Sequence, residues 1–476
     1  MRTILSTIKK FPRTFWIANT IELFERWAWY GFFMLFANYL TGSVEEGGLQ
    51  FSQAQKGIIM GVGTGILYFL PVITGAIADK FGYRRVLAIA FVVYASAFVL
   101  LPQFNTFTGV FLMYLYLALG AALFKPVISA TIAKTTTDET ASIGFGIFYM
   151  MVNIGAFLGP MLTLIFKNTT YDFVFYISAA MISVNFFLLL FYREPNRIRS
   201  SESILITFKQ IFRNIFTVLL DFKFVLFLVI ASGFWTMYLQ LFFTLPVFIS
   251  QWVDTSGMYL YFSQNVPFIA ENYGRHGVME AEFITNFDAL FIIAFQIIIS
   301  GIVMRWKALS TMVGGFIIAT LGLSLSFFTQ NVSFIIVAIF VFSIGEMSAS
   351  PKITEYIGRI APSDKKALYM GYSFIPLFLG NLFAGFISGN VYQDLSDKHT
   401  LALRIAHEKG LQISETVSQN ELFNQTAKQL DMSNLEFTSF LWNHYHPSNI
   451  WWVIAVIGLA AAFGLAIYNR VFFSKQ

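Results

Sequence analysis

Six ionisable side chains stand inside long apolar runs of this 476-residue chain: Glu22, Glu25 and Arg26 in the first run, Lys125 in the fourth, Asp288 near the start of the eighth and Glu346 in the tenth. A charge at mid-membrane depth costs roughly 2.5–3.5 kcal/mol even on lenient scales, so it is paired, neutralised or used. Glu22, Glu25 and Arg26 fall at i, i+3 and i+4 and share one helix face, with Tyr30 a turn further along. Four acids and two bases can take up a proton and release it as their partners change. The plainer reading is a set of static ion pairs that fix helix packing. Their spread over both halves of the chain favours a site that uses them.

Other chemistries find less support. The five histidines, His276, His399, His407, His444 and His446, fall in polar loops. The His444-x-His446 pair beside a span reads as solvated, so no metal and no cofactor are expected. Without cysteine there is neither a disulfide nor a thiolate ligand. No GxxxxGK[ST] loop is present for ATP. The chain does not read as an enzyme.

The elements that must hold these charges are membrane helices. Hydrophobic residues make up 57% of the chain and charged residues 12%, against about a quarter charged in soluble proteins. That balance excludes a soluble enzyme or a disordered scaffold. Twelve apolar runs are long enough to span, at 14–41, 54–79, 85–103, 106–133, 141–166, 172–193, 223–249, 284–304, 308–329, 332–359, 366–391 and 448–471. They are too long and too uniformly apolar for barrel strands.

The expected fold is an all-α integral membrane protein with twelve transmembrane helices in two six-helix bundles, residues 1–193 and 223–476. Residues 194–222 read as a cytoplasmic linker with an amphipathic helix. Polar loops 250–283 and 392–447 fall on the outside, the second as a cap of short helices that the core does not require. The basic N-terminus has no small-residue cleavage site before the first run, which reads as retained. Segments on the side of the termini carry 22 Lys and Arg and the opposite side seven, Lys56 among them. Both termini are therefore expected in the cytoplasm. The net charge of +5 does not point to nucleic acid, because the basic residues lie between apolar runs.

The halves echo each other. Gly120 and Pro126 recur as Gly345 and Pro351, Tyr149-Met150 as Tyr369-Met370, and Gly75 and Asp79 as Gly301 and Arg305, at offsets of 220–226 residues. Such an echo is expected of a six-plus-six duplication whose halves rock against each other.

Between spans 2 and 3 the chain reads GAIADKFGYRR. Gly75 allows helix contact, Asp79 can accept from a neighbouring helix N-terminus, Gly82 permits a tight turn, and Arg84 and Arg85 anchor the membrane face. This resembles the signature of the major facilitator superfamily, where it latches the two halves. ELFERWAWYG in span 1 resembles the ExxERFxYYG motif of the proton-dependent oligopeptide transporters. GAALFKPVISATIA, YMMVNIGAFLGP, GEMSASPKITEYIGRIAP and GNLFAGFISG are similar to segments of spans 4, 5, 10 and 11 in that family.

The resemblance implies a major facilitator fold and roles for particular residues. Glu22, Glu25, Arg26 and Lys125 would couple protons. Lys125 would also meet a peptide carboxylate, and Glu346 a peptide amino group. Tyr30, Tyr68, Asn153 and Asn286 would line the pocket. There are departures: Leu239 stands where span 7 of the family carries an acid, and Ser373 and Pro376 stand where span 11 carries a tryptophan and a serine. Asp288 is read as a replacement acid, against the alternative that it is a helix-start residue at the water interface. The expected activity is proton-coupled symport of di- and tripeptides by alternating access, as a monomer in the lipid of a bacterial cytoplasmic membrane. The alternative is a proton-coupled carrier of another small organic solute.

Overall fold

In the computed structural model the described residues are 9–137, 140–167, 170–195, 213, 220–303, 306–360, 372–411 and 417–473. Among the described residues each of the twelve apolar runs contains helix, and two are broken where proline removes a backbone donor. Span 1 is Arg13–Thr41. Span 2 is Gln53–Phe69 followed by Pro71–Phe81, bent by 43°, because Pro71 has no N–H and its ring crowds the preceding turn. Spans 3 to 6 are Tyr83–Leu100, Phe107–Lys134, Ala141–Lys167 and Tyr171–Phe191. Span 7 comes in three pieces, Phe222–Tyr238, Gln240–Phe243 and Leu245–Trp252, with Pro246 opening the last. The Gln240 amide donates to the Thr236 carbonyl and the Thr244 hydroxyl to Gln240 Oε1, so side chains satisfy groups that the break frees.

Span 8 is Ala281–Thr285 and Phe287–Val303, span 9 Ala308–Ser324 and span 10 Val332–Ile360. Span 11 is Ile375–Phe386 with a π-helical turn over Ile387–Val391, and span 12 is Ile450–Phe473. Among the described residues nine helices are long and apolar enough to cross a bilayer alone, and the bent pair of span 2 makes a tenth. Span 9 is shorter, and span 1 carries Glu22, Glu25 and Arg26.

The chain divides into two compact units. Unit 1 comprises Met1–Phe33, Gly63–Leu228 and Ala361–Phe378; unit 2 comprises Met34–Val62, Val229–Ile360 and Leu379–Gln476. In lipid no hydrophobic force pulls helices together, so close packing and hydrogen bonds must do so. Within unit 1, Gly120 of span 4 lies against the Tyr94 backbone of span 3, beside the fully buried Phe91, Phe98 and Tyr114. Within unit 2, Gly345 of span 10 lies against Ala319 and Gly315 of span 9, and Phe234 stacks on Phe316 with ring centroids 4.1 Å apart. The two glycines thus serve equivalent helix pairs. Tyr369, Met370 and Arg305 of the sequence echo, and nearly all of the 194–222 linker, lie outside the described residues.

Unit 2 gathers the first turns of span 2 with parts of spans 7 and 11. Gly57 abuts the backbones of Gly385 and Gly389, where any Cβ would collide with a main chain. Lys56, counted with the outside basic residues although run 54–79 begins before it, is wholly buried three residues into span 2. Its Nζ donates to the Phe243 carbonyl at 3.0 Å and lies over the Tyr392 ring. The break in span 7 leaves that carbonyl for the lysine to take.

The polar segments carry short helices at Ser256–Asn265, Pro267–Tyr273, Lys398–Glu408, Gln419–Gln429 and Asn434–Tyr445. A two-residue-per-strand antiparallel hairpin, Gly274–Arg275 with Val278–Met279, is a small departure from an all-α chain. Ser433 and Glu436 form a reciprocal capping box. The Ser433 amide and hydroxyl hold the Glu436 carboxyl below its ordinary value. The 392–447 segment is tied by hydrogen bonds to the start of span 2 and the end of span 7. Buried Asp397 accepts from Gln53, Gln251 and both the amide and hydroxyl of Thr400. Ser396 and Trp252 also share a bond.

Candidate functional site

In unit 1 the i, i+3, i+4 spacing on span 1 produces the arrangement its periodicity implies. Arg26 Nε is 3.2 Å from Glu22 Oε1 and 2.5 Å from Glu25 Oε2. The Tyr94 hydroxyl of span 3 donates to Glu25 Oε1 at 3.0 Å. Glu25 is 0% exposed with both oxygens engaged. Gly155 of span 5 lets that helix approach the Arg26 side chain closely, and the guanidinium lies over the Tyr30 ring at 5.9 Å. Lys125 Nζ sits 4.4 Å above the Tyr68 ring and is close enough for its charge to act on Glu22. Two carboxylates around one arginine carry one net negative charge, and Lys125 can balance it. A proton arriving on a carboxylate would remove the charge that the lysine balances. Asn153 does not join this cluster; its amide donates to the Tyr149 carbonyl one turn back.

In unit 2 Asp288 and Glu346 meet no base among their hydrogen-bond and ion-pair partners in the described residues. The Tyr238 hydroxyl donates to Glu346 Oε1 at 3.0 Å, and Glu346 Oε2 has no hydrogen-bond partner among the described residues. Asp288 Oδ1 lies 2.6 Å from the Ser343 hydroxyl, one turn before Glu346, and its charge acts on Glu346. Asp288 lies in the first turn of Phe287–Val303, as the helix-start alternative has it, and is buried there at 5% exposure. Asn286 is buried at the break between the two pieces of span 8. Leu239 is buried at the break in span 7 and supplies no acid.

The turn between spans 2 and 3 has Gly82 at φ +106°, a conformation that side chains resist. Asp79 accepts from the Tyr83 hydroxyl at 2.8 Å, and the Tyr83 amide at the start of span 3 donates to Glu194 at 3.1 Å. Lys134 completes the group by donating to the Tyr83 hydroxyl. Arg84 and Arg85 are exposed, and Gly75 faces Pro126 at ordinary contact distance.

Sequence reasoning missed Tyr94, Tyr238 and Ser343, which are ordinary residues in apolar runs with no spacing to mark them. It also missed Glu282, wholly buried and bonded to Asn38 at 2.9 Å. Glu282 lies two residues before the apolar run begins.

The Major Facilitator Superfamily profile matches residues 17–385. Peptide transporter YePEPT of Yersinia enterocolitica is 29% identical over 152 residues, which is 30% of this chain and 29% of that relative. The chain thus matches less than a third of that relative's length. Multidrug resistance protein MdtH of Aeromonas hydrophila is 22% identical over 334 residues, 68% of this chain and 75% of the relative. Among solved structures, a POT family transporter in complex with 5-aminolevulinic acid superposes with a TM-score of 0.71 at 16% identity, covering 96% of both chains.

Proposed function

This chain belongs to the Major Facilitator Superfamily, and from that premise we propose that it is a proton-coupled symporter of di- and tripeptides. It works by alternating access in a bacterial cytoplasmic membrane, with both termini in the cytoplasm. The observation that carries the reading is the buried Glu22–Glu25–Arg26 cluster with Lys125 beside it. Protonation of a carboxylate there frees Lys125 to take a substrate carboxylate. Glu346, with one oxygen open, receives the substrate amino group. Tyr30, Tyr68, Asn153 and Asn286 supply neutral polar contacts between charged ends. The turn built on Gly75, Asp79, Gly82, Arg84 and Arg85 acts as the conformational latch. The name of the Yersinia relative supports a peptide as cargo.

A second reading keeps the proton machinery and changes the cargo to another small zwitterion or organic anion. Buried Leu239, at the position where the oligopeptide transporters that the sequence resembles carry an acid, favours it. One experiment separates the two: uptake of labelled dialanine into proteoliposomes with and without an imposed proton gradient. Accumulation only with the gradient, competed by other di- and tripeptides, is the expected result. No dialanine uptake beside gradient-driven uptake of a single amino acid derivative would establish the second reading.

A further inference from the structure

Unit 2 contains a cavity of about 1070 Å³ whose lining includes none of the intramembrane acids. Its walls come from the end of span 7, the Ser256–Asn265 helix, the start of span 10 and the Asn434–Tyr445 helix. Trp252, Tyr261, Phe262 and Phe287 give it aromatic surface, and Gln330 and Asn331 give it amides. Two charged side chains line it, one of each sign: Lys398 and Asp254.

Among the described residues Lys398 is held without an acid. Its Nζ lies 4.7 Å from the Phe423 ring centroid and 5.6 Å from that of Trp252. The adjacent Asp397 is occupied by Gln53, Gln251 and Thr400. Aromatic faces attract an ammonium but accept few of its three hydrogens. Asp254 binds the Ser256 amide and hydroxyl through Oδ1 alone, which leaves Oδ2 for another donor. A single ammonium suits a carboxylate, whereas phosphate is met more often by planar arginine forks. An uncharged apolar guest would desolvate both charges with no return.

We propose that this cavity binds a small zwitterion with an apolar body, an amino acid or short peptide, whose carboxylate meets Lys398 and whose ammonium meets Asp254. The site is separate from the groups assigned to transport, and its occupancy does not depend on that assignment.

The test uses the full chain in phosphatidylcholine nanodiscs and a photoreactive probe, the dipeptide alanyl-p-benzoylphenylalanine, with crosslinks mapped by mass spectrometry. Crosslinks are expected within residues 250–262 and 434–442. They should fall about tenfold in Lys398→Met, the effect of losing one modest charged contact, and persist in Lys125→Ala. Asp254→Asn should weaken labelling by the free dipeptide and leave that by its N-acetyl form unchanged. Because Asp254 is exposed, this variant keeps the test decisive if Lys398→Met misfolds. Labelling that spares both segments, labelling of them indifferent to both substitutions, or equal labelling by the N-acetyl amide would overturn the proposal. So would labelling that disappears when phosphatidylglycerol is added, since the cation would then be holding a lipid headgroup.

Discussion

The Ser343 hydroxyl lies 2.6 Å from the Asp288 carboxyl and 2.8 Å from the Ile339 carbonyl, yet a serine has one hydrogen to give. Given to Asp288, that hydrogen fixes an acid on span 8, in the same unit as Glu346 and Leu239; Leu239 stands where the oligopeptide transporters that the sequence resembles carry an acid. Asp288→Asn preserves the size of the side chain and an acceptor for Ser343 but cannot bind and release a proton. It should retain downhill exchange of substrate and lose uphill, gradient-driven uptake. An unchanged pH dependence of uptake would remove Asp288 from coupling.

Lys125 makes an aromatic contact with Tyr68 and no ion pair in the described residues, so Lys125→Ala should leave folding intact. Gradient-driven uptake should vanish while the mutant still inserts and melts like the parent. Full accumulation by the mutant would show that Glu22, Glu25 and Arg26 couple without it.

Glu346→Gln should weaken binding of free dipeptides by ~2–5 kcal/mol, the usual loss when one partner of a buried charge pair goes. N-acetylated dipeptides should lose far less. Isothermal titration of both ligands decides the matter, and equal losses would end the amino-group role. Tyr238→Phe removes one hydrogen bond to the same carboxylate, and its effect should be smaller, about 1 kcal/mol.

Asn38 of span 1 and Glu282 of span 8 are bonded at 2.9 Å, and alternating access would have to part them. The natural chain has no cysteine, so Asn38→Cys with Glu282→Cys gives a clean pair. A short bifunctional maleimide should join the two and stop uptake, while either single variant treated alike keeps transporting. Uptake that survives complete crosslinking would mean this contact stays closed throughout the cycle.

Asp397 anchors four hydrogen bonds from three residues. Asp397→Ala leaves the amides of Gln53 and Gln251 without that acceptor and should cost roughly 2–4 kcal/mol. A lower thermal midpoint in detergent, at unchanged expression, is the expected reading. An unshifted midpoint would return the 392–447 segment to the status of a loosely attached cap.

The twelve runs and the span 1 cluster were legible because both depend on local periodicity: about 20 apolar residues make a span, and i, i+3, i+4 make a face. The breaks were harder to see. Pro71 and Pro246 sit inside runs whose hydropathy does not register a kink. Lys56 and Glu282 were assigned to the wrong side of a boundary, since each lies within a few residues of a helix start. Their burial depends on partners, Phe243 and Asn38, that are distant in sequence. The same holds for Tyr94 and Ser343. A hydroxyl becomes a site residue only when another helix brings a carboxylate to it, and no spacing within one run records that.

Span 2 passes from unit 2 to unit 1 between Val62 and Gly63, where the chain reads Gly61-Val62-Gly63-Thr64-Gly65. Each glycine costs a helix about 1 kcal/mol relative to alanine, and two of the three offset that cost by close contact: Gly61 lies against the backbones of Asn381 and Gly385 in unit 2, and Gly63 against the Tyr114 ring in unit 1. One turn of a single helix is thus fitted tightly into each unit, and an alanine at either position would push a neighbour away.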